Sequence, residues 1–221
     1  MPIVVVKRGR AAKKILPTAV GKEEELQRYI RENPGAIPLD DIREDMQPCV
    51  LAREFTTSSG AIDALAIDEE GAAYIIETKL YKNPDKRFVV AQVLDYGAAL
   101  WKAFQDSADI DEMLEGAVSE VSGVSLRAKV ADAFGFDYDK VDEVLDRFKS
   151  DLSSGRFTFI FLMDHVHDQL KHLVSFINAN SRFRLLACEL EFYRDEDFDI
   201  LVPKLYGAET IKNPPSSLAP R

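Results

Sequence analysis

Two consecutive runs of the sequence, residues 61–67 and 73–79, carry apolar or small side chains on both of their alternating faces. Successive side chains of a strand point to opposite sides of its sheet. A strand that is apolar on both faces therefore belongs in the middle of a sheet that is covered on both sides. The Glu-Glu-Gly sequence at 69–71 marks a turn between the two runs. We predict an α/β fold with a central mixed β-sheet flanked by helices.

Apolar spacing predicts the other elements of the chain. We expect helices over 22–32, 87–104 and 165–179, and two or three short amphipathic helices within 106–151. We expect further strands over 49–56, 157–163, 184–193 and 197–205.

The 221 residues are 46% apolar, which is enough to form a hydrophobic core without disulfides. Composition divides the chain into five segments. We predict a strand-like lead-in over 1–21, the first part of a core over 22–105, an acidic helical insertion over 106–155, completion of the sheet over 156–206 and a disordered tail over 207–221.

The net charge is −10, and a balance of −8 falls within residues 106–151. Non-specific coating of DNA depends on Lys and Arg, so this composition argues against it. A local phosphate-binding face stays open because basic residues cluster at 7–14 and 79–87. We expect the acidic segment to lie away from any such face, either as a dimer or partner surface or as a solvated helical decoration.

Cys49 and Cys188 are too few for a disulfide framework, so we predict that they are core thiols in a reducing compartment. The apolar run at 3–6 is too short for a signal peptide or a membrane span. We therefore expect a cytoplasmic protein of a bacterium or an archaeon, with no membrane association.

Three polar residues, Asp63, Glu77 and Lys79, interrupt the two apolar strands. Burying a carboxylate is costly unless it is paired or binds a cation. The hairpin can place Asp63 near Glu77, and two carboxylates with water suit Mg²⁺. A buried Glu–Lys ion pair, or strand ends that reach solvent, would explain the same residues.

Two neighbouring helices offer further polar groups. Gln92 and Tyr96 lie one turn apart on the helix that follows the second strand, and a glutamine on that face could bond into the same site. Glu23 lies on the buried stripe of the first helix. Acidic residues in a first turn are also a normal response to the helix dipole.

Together these motifs resemble the PD-(D/E)XK nuclease superfamily, in its RecB-like branch. The first helix, with Glu23-x-x-Leu26-Gln27 followed by Asn33-Pro34, resembles that of NucS-type members. The resemblance covers about residues 22–105. It departs from the family pattern where Ile62-Asp63 replaces Pro-Asp. The motifs that carry it are Glu23 in the helix, Asp63, Glu77-Thr78-Lys79, and Gln92-x-x-x-Tyr96.

The resemblance implies a restriction-endonuclease-like core and a metal-dependent deoxyribonuclease active in repair, in restriction or defence, or in mobile elements. Mg²⁺ or Mn²⁺ would be held by Glu23, Asp63, Glu77 and the Thr78 carbonyl. Lys79 would orient the attacking water or stabilise the transition state. The remaining roles go to Gln92 and Tyr96, which would orient groups of the site or touch DNA, and to Lys82, Lys86 and Arg87, which would bind phosphates.

Several alternatives stay open at this stage. A catalytically inactive nuclease-fold module could bind nucleic acid or a protein partner instead. The DNA could be single-stranded, duplex or branched, and duplex cleavage would favour a homodimer. The histidines His165, His167 and His172 suggest zinc by composition, although they lie where Asp164 could cap a helix.

Overall fold

A computed structural model describes residues 1–6, 11–44, 46–82, 88–106, 110–195 and 198–209. The strands are β1 (Ile3–Val5), β2 (Lys13–Ile15), β3 (Pro17–Thr18), β4 (Cys49–Thr57), β5 (Gly60–Ile67), β6 (Ala73–Lys79), β7 (Phe157–Met163), β8 (Arg184–Arg194) and β9 (Asp199–Tyr206). The α-helices are α1 (Glu23–Glu32), α2 (Phe88–Asp106), α3 (Ile110–Ser122), α4 (Leu126–Phe134), α5 (Tyr138–Ser154) and α6 (Asp168–Asn180). Short 3₁₀ turns occupy Pro34–Ala36 and Leu39–Asp41.

A seven-stranded mixed sheet forms the centre of the fold. Strands β4, β5 and β6 make an antiparallel meander, β7 and β8 run parallel to β6, and β9 pairs antiparallel with β8. The short β3 adds to the end of β8, while β1 and β2 form a separate two-stranded sheet. The predicted α/β class with a central mixed sheet is confirmed.

Helices cover both faces of this sheet, as the two-sided apolar strands require. Leu65 and Ile75 belong to one core, which is completed by α2 to α6. Ala66 and Ile76 belong to the opposite core, which is completed by α1 and the segment at 36–46. Strands β5 and β6 are therefore buried from both sides because each face meets helical or loop side chains.

The acidic segment contributes to the first of these cores. Its helices α3, α4 and α5 bury Leu114, Val130, Val144 and Phe148 beside residues of β4 to β7. Charged residues occupy the outer faces of the same helices. The interpretation as a solvated decoration is therefore wrong, because an amphipathic helix buries its apolar stripe wherever a sheet face is available.

Local chemistry sets the ends of these helices. The Ser125 side chain accepts from Ala128 N–H, and the Asp137 side chain accepts from Lys140 N–H, so each residue caps a helix start. Gly135 and Gly155 end α4 and α5 in the left-handed conformation that glycine adopts without strain.

Two predicted boundaries were wrong or fall outside the described residues. Helix α6 begins at Asp168 rather than at 165, because His167 is its N-cap and accepts from Leu170 N–H. Most of the predicted disordered tail, residues 210–221, lies outside the described part of the chain, but Ala208 is buried.

Both cysteines are free and buried, which agrees with their prediction as core thiols. Of the helices within the described residues, none combines the length and the apolarity needed to cross a membrane.

The burial of α5 gives a test of the core. Phe148→Ala should lower the free energy of unfolding by about 3–5 kcal/mol, because it removes a fully buried aromatic side chain and leaves a cavity. Phe176→Ala on α6 is the matched control, since Phe176 is 66% exposed and should change stability little. Urea unfolding followed by circular dichroism measures both variants, and equal midpoints would contradict the packing described.

Candidate active site

The site begins where the hairpin of β5 and β6 stops pairing. The described register runs from Ile67↔Ala73 to Ala64↔Ile76, and the next pair would be Asp63 and Glu77. Asp63 instead accepts hydrogen bonds through one carboxylate oxygen from Thr78 N–H at 2.7 Å and from the Thr78 hydroxyl at 2.5 Å. Its other oxygen accepts from Gln27 Nε2 at 3.0 Å. Strand β6 and helix α1 thus fix the Asp63 carboxylate between them.

Glu77 is a buried carboxylate, with only 2% of its surface exposed. Its Oε1 lies 2.9 Å from Lys79 Nζ, whereas its buried Oε2 has no hydrogen-bond partner among the described residues. Burial and then the charge of Asp63 raise the pKa of Glu77 to about 7, against the opposing effect of Lys79. This carboxylate can therefore accept a further cation or a proton.

Lys79 follows two residues later in the strand and projects to the same side. Its ammonium contacts Glu77 and lies 3.7 Å from Glu23 Oε2. Burial lowers the pKa of Lys79, but Glu77, Glu23 and Asp63 outweigh that effect and raise the pKa above its ordinary value. Lys79 therefore stays cationic at neutral pH within a cluster of carboxylates.

Helix α1 brings two of its residues to this cluster. Glu23 Oε1 accepts from Leu80 N–H at 3.3 Å, which holds the first turn of α1 against the end of β6. Gln27 reaches Asp63 from one turn further along the helix. Gln27 belongs to the first-helix motif of the resemblance but had no predicted role at the site, although its spacing of four residues from Glu23 places both on one helix face.

Gln92 and Tyr96 form a separate pair on α2. Gln92 Nε2 donates to the Tyr96 hydroxyl at 2.6 Å, and the buried Tyr96 ring lies beside Gly60 at the start of β5. Within the described residues, neither side chain has a hydrogen bond or an ion pair with Asp63, Glu77 or Lys79. Their predicted role at the site stays a prediction.

The predicted phosphate-binding residues are described only in part. Lys82 is exposed, and its Nζ donates to the Gly21 carbonyl at 2.6 Å. Lys86 and Arg87 lie outside the described residues. A role of Lys82 in binding DNA stays a prediction.

An open groove of about 1100 Å³ lies beside Asp63 and Thr78, between α1, the sheet edge at β4, and α3. Glu77 and Lys79 are not part of its lining. Helix α3 contributes Met113 and Glu120, so the prediction that the whole acidic segment lies away from the site was wrong. The charged side chains that line the groove are Glu24, Glu25, Glu54, Asp63 and Glu120, with Arg28 and Arg53.

The described residues contain no group of three or more His, Cys, Asp and Glu side chains placed to hold a metal ion. The predicted magnesium site therefore rests on fewer protein ligands. Glu77 Oε2 fits such an ion, because it is a buried acceptor without a partner next to a second carboxylate. The zinc alternative has no support here, since His167 Nδ1 caps α6 and His165 Nδ1 contacts Glu189.

The raised pKa of Glu77 predicts how stability depends on pH. Below about pH 4.5, Glu77 is protonated in both the folded and the unfolded protein. As the pH rises from about 4.5 to about 7, Glu77 ionises in the unfolded chain before it ionises in the folded protein. The free energy of unfolding therefore falls by about 3 kcal/mol over this range. Glu77→Gln cannot ionise, and its stability advantage over the parent protein should therefore grow between about pH 5 and about pH 8.

Urea unfolding in the presence of a chelator, repeated across this pH range, measures the effect. Glu112→Gln is the matched control, because Glu112 is exposed on α3. Parallel stability curves for the parent protein and Glu77→Gln would show that Glu77 has an ordinary pKa.

Comparison with known proteins identified no relative of this chain. No protein-family model, no curated protein and no solved structure matches the chain. The interpretation of the site therefore depends on its own residues and their geometry.

Proposed function

We propose that the chain is a metal-dependent nuclease that hydrolyses phosphodiester bonds of DNA. The observation that carries this proposal is the buried Glu77 carboxylate, which has an unpartnered oxygen, a second carboxylate beside it and Lys79 in contact. A cation, a phosphate oxygen and a water molecule are the groups that such a combination can hold together.

The surrounding architecture is consistent with a restriction-endonuclease-like core. Helix α1 leads into the β4–β5–β6 meander, and helices α2 to α5 then connect β6 to the parallel strand β7. The motif residues of β5 and β6 lie at the end of this hairpin, where α1 adds Glu23. The order of elements and the order of motifs thus support the same proposal.

Asp63 and Glu77 would hold Mg²⁺ or Mn²⁺, with the Thr78 carbonyl as a further oxygen ligand and Glu23 acting directly or through water. Hard divalent cations prefer oxygen ligands and keep several waters, so few protein ligands suffice. When bound, the ion supplies a positive charge at the phosphate and lowers the pKa of a coordinated water.

The chain's own residues prepare the site for this chemistry. Thr78 and Gln27 fix the orientation of Asp63 through three hydrogen bonds. Glu23 and Glu77 hold the ammonium of Lys79 beside the carboxylates. From there Lys79 can orient the attacking water or stabilise negative charge that develops on the phosphate.

The charge of the groove restricts how DNA can approach. Its lining carries five acidic and two basic side chains, so phosphates would meet net repulsion there without a bound cation. Arg28 and Arg53 are the basic groups within the lining. We propose that they contact the DNA backbone together with Lys82, and that cleavage of a duplex would favour a homodimer, since one chain supplies one site.

Lys79→Ala should lower the rate of DNA cleavage by about 10²–10³-fold, because it removes the cation placed against the reacting phosphate. The assay uses Mn²⁺ and Mg²⁺ with circular single-stranded, supercoiled and linear DNA. Lys102→Ala is the matched control, since Lys102 is exposed on α2.

Equal cleavage by the parent protein and Lys79→Ala would contradict the assigned mechanism and point to a contaminating nuclease. Absence of cleavage by all three proteins would favour the alternative, a catalytically inactive nuclease-fold module that binds nucleic acid or a protein partner.

Metal binding can be tested independently of cleavage. Mn²⁺ at 100 times its dissociation constant should stabilise the folded protein by about 2.7 kcal/mol, and this gain should be lost in Glu77→Gln. Thermal unfolding with increasing Mn²⁺ measures it, with Glu112→Gln again as the control. A gain that persists in Glu77→Gln would place the ion elsewhere.

A further inference from the structure

Three parallel strands, β6, β7 and β8, end at the same edge of the sheet. Their register places Lys79 beside Met163, and Met163 beside Glu189. Alternation along the strands puts these three side chains on one face, which they share with Ile75, Phe161 and Ala187. Glu189 therefore lies in the same row as Lys79, two strands away.

Glu189 is a second buried carboxylate, with 4% of its surface exposed. Its Oε2 accepts from Val166 N–H at 2.6 Å and lies 2.9 Å from His165 Nδ1. Its Oε1 lies 3.8 Å from Lys204 Nζ. A buried carboxylate that holds one ring nitrogen fixes the tautomer and orientation of a histidine.

His165 is 54% exposed, and with Nδ1 engaged, Nε2 is the ring nitrogen left to face a ligand. The loop that carries it is tied to the loop after β6, because Tyr81 N–H donates to the Asp164 carboxylate at 2.6 Å. The Tyr81 and His165 rings meet edge to face, with centroids 4.8 Å apart. These contacts lock the two loops together beyond Lys79.

The strand register and the contacts between the two loops place His165 near the end of β6. His165 is two residues beyond Met163, the neighbour of Lys79, and Tyr81 is two residues beyond Lys79 itself. The Tyr81 ring contact and the Tyr81–Asp164 hydrogen bond keep His165 at the end of the sheet that carries Lys79. The carboxyl ends of parallel strands are also where open α/β sheets bind ligands.

We propose that His165 is a catalytic residue of this site, donating a proton from Nε2 to the oxygen that leaves phosphorus, and that Glu189 is its positioning residue. The inference rests on the proposed nuclease function. In the reaction, the water oxygen bonds to phosphorus and its proton goes to solvent. The bond from phosphorus to the leaving oxygen breaks, and that oxygen takes the electron pair and the Nε2 proton of the His165 imidazolium, whose Nδ1–H stays on Glu189. Solvent then reprotonates Nε2.

The leaving group decides how much such an acid contributes. A sugar alkoxide is a poor leaving group, so its protonation lowers the barrier, typically by about 10²–10⁴-fold in rate. p-Nitrophenolate leaves without protonation. Removing the acid should therefore slow DNA cleavage but spare a nucleotide p-nitrophenyl ester, and a merely structural histidine would not separate the two substrates.

The experiment compares the parent protein with His165→Ala, Glu189→Gln and the control His172→Ala, whose side chain is exposed on α6. Each is assayed with Mn²⁺ on DNA and on the p-nitrophenyl ester of thymidine 5′-phosphate. His165→Ala should lose about 10²-fold or more on DNA and no more than a few-fold on the ester. Glu189→Gln should show a smaller loss in the same direction, and His172→Ala should match the parent protein.

Added imidazole gives a second readout, because it can supply the missing acid. It should restore part of the DNA cleavage of His165→Ala. Equal losses on both substrates, or no loss on either, would overturn the role of His165 while the loss of activity in Lys79→Ala kept the proposed function standing. A parent protein that cleaves neither substrate would overturn both, since no leaving group would then need a proton.

Discussion

The buried carboxylate of Glu77 is the constraint on which the site depends. A carboxylate with 2% of its surface exposed, in the meander of β4, β5 and β6, is costly to ionise. Among the described residues, Lys79 offsets that cost at one carboxylate oxygen, and the other oxygen has no hydrogen-bond partner. Asp63 makes the cost larger, since its charge disfavours ionisation of Glu77. A cation bound beside the two carboxylates would reduce this cost.

The rest of the sheet explains why this position can be maintained. Strands β5 and β6 are covered on both faces, so packing against the two cores holds the hairpin in place. Helix α1 closes one side through Gln27 and Glu23, and the acidic segment closes the other through residues such as Phe148. The negative charge of the acidic segment therefore lies on the outer surface of helices whose apolar faces belong to the core.

The sequence predicted the elements that periodicity controls and missed those that depend on tertiary contacts. The strand Ala73–Lys79 has its predicted bounds, and the hairpin brings Asp63 close to Glu77, because alternation and turn chemistry are local. The start of α6 was misplaced because His167 took the capping role expected of Asp164, which is bound to the loop after β6. The groove beside α3 could not be foreseen, since helix packing on β4 is a long-range contact.

The acidic lining of the groove limits how a DNA substrate could bind there. The groove lining holds five carboxylates and two arginines, so its net negative charge repels a polyanion. If DNA is the substrate, divalent cations must therefore contribute to its binding as well as to its hydrolysis. Affinity for DNA should then rise with Mg²⁺ even though added salt usually weakens protein–DNA contacts. The same reasoning favours a substrate segment that presents few phosphates at once, such as a single strand, over a long duplex laid across the groove.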